Sequence, residues 1–209
     1  MLSKNDQYRQ ILKRYLPHEF IEMVVALLEE HPVHFRVVKP RKTKLGDFRS
    51  MSKSGRSQIT INGDLNQYSF LITTLHEFAH LITFKEFGHR IAPHGQEWKS
   101  VYTKLLLPVI DSNWLPEKLN HSLTRSITNM KASSCSDVQL QRVLLSYNSP
   151  DGQMVTLETL EKNSTFALNG RTFQKGLLRR TRFLCIDVHT RRQYLVSALA
   201  HVEQVDHEK

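Results

Sequence analysis

The stretch NQYSFLITTLHEFAHLITFKEF, residues 66–87, decides how this 209-residue chain is read. Phe70, Leu71, Leu75, Phe78, Ala79 and Ile82 recur along it at helical spacing, and Gly88 is a natural stop directly after it. Inside it lies His76-Glu77-Phe78-Ala79-His80, an HExxH motif. Four residues advance an α-helix by about 400°, so the two imidazoles fall on nearly the same face, one turn apart. Placed in this way they can reach one zinc ion at ~2.0–2.1 Å. Glu77, beside them, can act as general base toward a water molecule that such an ion activates. A random chain with the same eleven histidines and twelve glutamates would hold roughly 0.03 such motifs. The bland alternative is a pair of solvent-facing histidines on a surface helix, and the apolar residues on the other faces argue against it.

A catalytic zinc site usually has three protein ligands and one open position. The metzincin spacing would place a third histidine at position 86, which is Glu86, so that subclass is excluded. Downstream candidates are His89, His94 and Glu97. His94 is favoured because Gly95 follows it and lets the backbone approach closely at the mouth of a site. Glu97, at the start of the next helix, is a rival as a carboxylate ligand. His89 is the other rival, although a solvent-exposed loop histidine is its simpler role.

The run HEFAHLITFKEFGHRIAPHGQEW, residues 76–98, resembles the SprT-like metalloprotease family, which includes the Spartan proteases. The shared pattern is HExxH, a loop, and then HG-x-x-aromatic, here His94-Gly95-Gln96-Glu97-Trp98. The resemblance is specific over residues 66–107, and residues 1–107 are compatible with it. It implies a zincin core with His76, His80 and His94 as zinc ligands and Glu77 as catalytic base. It also implies proteolysis and, in the Spartan branch, cleavage of proteins crosslinked to DNA. Many relatives carry a C-terminal zinc ribbon with cysteine ligands. Here only Cys185 lies in the C-terminal part, and His189 and His201 cannot replace a four-cysteine set. A ribbon-like β unit without metal, held by core packing, is therefore expected there.

The pattern along the chain is that of an α+β protein. Helical spacing runs to about Glu30, with Pro17 suited to a helix start. Strands are expected at His34–Val38, around Leu45–Phe48 and at Gln58–Ile61, forming a small antiparallel sheet before the HExxH helix. A further helix from Gln96 to Leu107 is stopped by Pro108. Residues 1–110 are thus expected to be the zincin-like metalloprotease domain. Residues 111–147 are a connection, rich in Ser, Thr and Asn over 120–137 and ending in a helix from Asp137 to Tyr147. Residues 148–209 are a small β-rich appendage. Its expected strands are Met154–Leu157, Thr165–Leu168, Arg182–Val188 and Gln193–Ala198. Asn148–Gly152 reads as a turn and Asn169-Gly170 as a hairpin turn.

Composition is globular, with 40% hydrophobic and 23% charged residues. Two cysteines, Cys135 and Cys185, exclude a disulfide framework and a four-cysteine zinc site. Cys185 reads as a buried strand residue. The polar opening MLSKNDQYRQ carries no apolar h-region behind it, and no apolar run approaches the length of a membrane span. The expected setting is the cytoplasm, without a membrane partner. Lys and Arg number 29 against 20 Asp and Glu, a net charge of +9, which suggests affinity for polyanions. Much of the excess lies in residues 36–56 and 171–192. Arg41, Lys42, Lys44 and Arg49 in the first run, and Arg179, Arg180 and Arg182 in the second, are candidate contacts to single- or double-stranded DNA. Phe48, Phe173 and Phe183 are interleaved with them and could stack on bases. The bland alternative makes the aromatics core residues and the basic residues a solvated rim.

The reading is a zinc-dependent endopeptidase with a protein substrate, acting on DNA-associated proteins. His89, Arg90 and Tyr102 are the candidate oxyanion stabilisers, none singled out. The alternative is a nucleic-acid-binding module with a structural or vestigial metal site, although such a site has no need of Glu77. A zinc hydrolase of small molecules is the third reading, and the basic clusters make it less economical.

Overall fold

The protein is described by a computed structural model over residues 3–41, 43–50, 55, 57–128, 137–148 and 155–205. The chain divides into two compact units, Met1–Asn148 and Ser149–Lys209. No helix among the described residues is long and apolar enough to cross a membrane.

The first unit opens with α1 (Lys4–Leu12), capped by Ser3, whose hydroxyl accepts the Asp6 amide. Pro17 fixes the entry to a 3-10 turn, His18–Phe20, which runs directly into α2 (Ile21–Glu30). Ile21, Val24, Val25 and Leu28 of α2 are buried. Three strands follow: β1 (His34–Val38), β2 (Gly46–Arg49) and β3 (Gln58–Asn62). The sheet is mixed, which corrects the expected antiparallel one. β3 lies in the centre, parallel to β1 and antiparallel to β2. Its residues Ile59, Thr60, Ile61 and Asn62 are all buried, as a central strand covered on both faces requires. The chain therefore crosses from β1 to the far edge before returning through the middle.

Next comes α3 (Gln67–Phe87), the HExxH helix, followed by α4 (Gln96–Asp111). Pro108 does not stop α4. The ring lies on the exposed side, while Leu106, Val109 and Ile110 are buried and carry the helix through it. Part of the Ser/Thr/Asn-rich stretch is also helical, as α5 (Glu117–Thr128). Leu119 and Leu123 anchor it in the core, and the hydroxyls of Thr124 and Thr128 donate to the carbonyls of Asn120 and Thr124 one turn back. Asp137 caps α6 (Val138–Leu145) by accepting the amides of Gln139 and Leu140. One hydrophobic core joins α1–α6 and the sheet.

The second unit is a six-stranded antiparallel sheet: β4 (Thr165–Leu168), β5 (Arg171–Gln174), β6 (Leu178–Arg179), β7 (Arg182–Asp187), β8 (Gln193–Ser197) and β9 (Glu203–Gln204). The order is β6-β7-β5-β4-β9, with β8 also pairing β7. Asn169 (φ 52°) and Gly170 (φ 74°) turn β4 into β5 in the left-handed conformations that this dipeptide tolerates. The expected strand ending at Leu157 is replaced by one bridge, Thr156 to His201, and a 3-10 turn at Leu157–Thr159; Met154 lies outside the described residues, as does most of the Asn148–Gly152 turn. Leu157, Phe166, Phe173 and Cys185 form the centre of a separate core. Cys185 is thus the buried strand residue expected of it, while Cys135 lies outside the described residues.

Candidate metal centre

The motif's helix is fixed at both ends. Asn66 caps α3 by accepting the Ser69 amide at 2.9 Å, and Gly88 (φ 74°) closes it with its amide on the Phe84 carbonyl. His76 and His80 project from one face of this helix. His94 is supplied by the loop before α4, in a left-handed conformation (φ 60°) that a histidine adopts at a cost of about 1–2 kcal/mol. The loop turns on the Gly95 amide, which donates to the Ala92 carbonyl at 2.9 Å. A Cβ at Gly95 would stand 3.0 Å from that carbonyl oxygen and 3.2 Å from Glu97 Oε2, so the tight turn favours glycine there.

The three Nε2 atoms converge. His76–His80 is 3.2 Å, His80–His94 is 2.9 Å and His76–His94 is 3.2 Å. Each Nε2 of a neutral imidazole carries either one proton or one lone pair. Three such atoms in a triangle can therefore satisfy only one hydrogen-bonded pair, and the third is left without a partner. A cation at the centre resolves this by taking all three lone pairs. Tetrahedral bonds of ~2.0–2.1 Å would set the nitrogens about 3.3–3.4 Å apart, close to the observed triangle. The group could therefore hold a metal ion.

Electrostatics point the same way. Burial, then the neighbouring His80 and His94, push the His76 imidazole down to about 3. Burial and then His94 push His80 down to about 4, and burial lowers His94 as well. All three are held neutral, the protonation state that a metal ligand needs. Trp98 of α4 forms the floor beneath them. Its ring centroid lies 4.7 Å from His76, 5.2 Å from His80 and 4.7 Å from His94, and Tyr102 stacks on it at 4.7 Å.

Glu77 is buried, 6% exposed, where β2 crosses α3. Burial, and after it the Asp47 carboxylate, raise it to about 7, while the Phe48 amide that donates to it, Arg41 and Lys44 pull the other way. A carboxyl so tuned can take or give a proton near neutral pH.

Of the two rival ligands, His89 packs edge-on against Phe84 at 4.6 Å, outside the histidine group, and Glu97 sits in the first turn of α4 beside Gly95. Among the oxyanion candidates, Tyr102 meets the His76 ring edge-on at 5.6 Å, whereas His89 and Arg90 are exposed. Three of the candidate contacts in the first basic run have partners within the protein. Arg41 donates to Asn62 and Thr60, and Lys44 and Arg49 pair with Asp47 at 2.7 and 2.8 Å. Lys42 lies outside the described residues. Arg179 and Arg182 face each other across β6 and β7, and Arg180 occupies their turn at φ 60°; all three are exposed, with no ion pair among the described residues. Phe173 is buried and Phe183 half-buried in the second core, while Phe48 leans on Phe84. Two features of the site went unread in the sequence: Trp98 as its floor, and Gly46 as its closest strand neighbour. The second had a signal, since an isolated glycine in a strand marks a close backbone approach.

A half-buried three-histidine group, two on the HExxH helix and one on the loop before α4, in an α+β unit, defines a candidate metal-centre domain. The model of the SprT-like family matches residues 18–112, from the 3-10 turn through α4, and supports the family assignment made on the motif. Comparison with curated proteins and with solved structures returns no significant match.

Proposed function

We propose that the chain is a zinc-dependent endopeptidase with a zincin-like core, in which His76, His80 and His94 hold the ion and Glu77 is the general base. The observation that carries this reading is the Nε2 triangle of 2.9–3.2 Å next to a buried carboxyl on the same helix. A zinc ion bound there supplies Lewis acidity, which polarises a peptide carbonyl and makes water acidic near neutral pH. Glu77 holds the proton taken from the attacking water at its carboxylate and delivers it to the leaving amine. Its raised proton affinity suits both halves of that transfer. Trp98 and Tyr102 back the imidazoles and exclude water from behind them.

A protein substrate associated with DNA is the finer part of the proposal. What supports it is the exposed turn Arg179, Arg180 and Arg182, free of ion pairs among the described residues. The test is paired. Metal content and cleavage of a protein substrate are measured, with and without single- and double-stranded DNA, for the native chain and for Glu77→Gln. About one zinc per chain in both, with cleavage in the native chain alone, is the expected result. Equal cleavage by both, or a native chain without zinc, refutes the peptidase.

A further inference from the structure

The basic residues 41–49 read in sequence as phosphate contacts, yet Arg41 is engaged with the central strand. Arg41 extends its guanidinium over β3: Nε donates to Asn62 Oδ1 at 2.8 Å, Nη1 to Thr60 Oγ1 at 3.0 Å, and Nη2 to the Thr60 carbonyl at 3.3 Å. Asn62, only 1% exposed, returns two bonds from Nδ2, to the Arg41 carbonyl at 3.2 Å and the Lys44 carbonyl at 3.0 Å. Its backbone amide donates to the Leu45 carbonyl at 2.8 Å. The chain entering β2 is thereby tied to the central strand immediately before Gly46.

Gly46 is where β2 meets the active helix. A Cβ there would stand 2.6 Å from Glu77 Oε1, 2.8 Å from Glu77 Cγ and 2.7 Å from Thr73 Cγ2. Thr73 and Glu77 are one helical turn apart, so Gly46 lies in the groove between them. Its φ is outside the left-handed region, so space and not conformation demands glycine. Two residues on, the Phe48 amide donates to the Glu77 carboxylate.

We propose that Arg41 and Gly46 are positioning residues for the Glu77 carboxylate: Arg41, through Asn62, fixes the height of β2 over α3, and Gly46 leaves the space in which the carboxylate is held. This rests on the reading of Glu77 as the base. A carboxylate displaced by about 1 Å from its reacting partner can cost on the order of 10²-fold in rate.

The variants are Gly46→Ala and Arg41→Lys, each loaded with zinc and assayed on a fluorogenic peptide, with metal content measured per chain. Both are expected to keep one zinc and a KM within about twofold, while kcat falls about 10- to 100-fold. Lysine keeps the charge but cannot reproduce three donors in a plane, so Arg41→Lys separates positioning from electrostatics. A readout without activity is Tm: Gly46→Ala lowers it in the native background and lowers it clearly less in a Glu77→Ala background. Unchanged kcat in Arg41→Lys overturns the role of Arg41. Equal Tm losses of Gly46→Ala in the two backgrounds overturn that of Gly46. If Gly46→Ala does not fold, restored folding on adding Glu77→Ala supports the proposal, and its failure refutes it. If the zinc-loaded native chain cleaves nothing, the peptidase reading falls, and the Tm comparison alone decides the position of Glu77.

Discussion

His94 Nε2 stands 2.9 Å from His80 Nε2, closer than either stands to His76, although the two come from different elements fourteen residues apart. Helix geometry sets the spacing of His76 and His80 without any ion. The place of His94 depends on a left-handed residue in a short loop.

Removing the ion should therefore release the loop and spare the helix. After chelation, amide exchange in residues 88–95 rises while the centre of α3 stays protected. His94→Ala loses most of its bound metal on gel filtration. Full metal occupancy in that variant would move the third ligand elsewhere.

Trp98 offers an optical report on the same site. The chain has two tryptophans, and the other, Trp114, is 58% exposed and leans on Phe20 away from the histidines. Loading with Co²⁺, whose open d shell quenches nearby indoles, should abolish the blue-shifted emission of Trp98 and leave that of Trp114. In Trp98→Phe the same titration should leave emission almost unchanged.

The second unit carries a pH-dependent contribution at Asp187. The Thr190 amide, and with it the Arg171 guanidinium at 2.6 Å, push this carboxyl down to about 2, against the opposing effect of burial. An unfolded aspartate titrates near ~3.9, so the folded state favours the charged form. The contribution is complete above about pH 5 and is lost as pH falls through about 2. Denaturant midpoints should place the native chain above Asp187→Asn at pH 6, with the gap narrowing steadily toward pH 2.

Lys175 is a cation buried in the second unit. Its ammonium donates to the carbonyls of Glu158 and Leu160 and lies 4.2 Å from the centre of the Phe183 ring. Burial lowers its proton affinity, against the opposing effects of Cys185 and Glu158, and the carbonyls and the ring favour the charged form by contact. Lys175→Met keeps most of the length but removes the donor that the Leu160 and Glu158 carbonyls share, at about 1–3 kcal/mol. Thermal unfolding should show a lower Tm, and an unchanged Tm would mean that the charge contributes nothing.

What could be read from sequence was whatever a local pattern encodes. The helix over residues 67–87, its glycine stop, the Asn169-Gly170 turn and the pairing of His76 with His80 follow from spacing or from residue conformational preference, while His94 is favoured by the glycine after it and through the family resemblance. What escaped depended on partners distant in sequence. Pro108 stays helical because Leu106, Val109 and Ile110 are buried around it, and α5 holds its polar sequence through Leu119 and Leu123. The parallel pairing of β1 with β3 could not be seen from either strand alone. Arg41 looked like a surface charge because nothing local reveals that Asn62 is waiting for it.

The central place of β3 also bears on how the molecule is assembled. β1 and β2 are consecutive along the chain but, among the described residues, share no ladder; each pairs with β3, which is made last of the three. A nascent chain that ends before Asn62 therefore carries two strands with nothing to join them. When β3 arrives, α3 begins five residues later, at Gln67. The sheet can therefore close only once β3 is made, and the histidine helix is the next element to follow it.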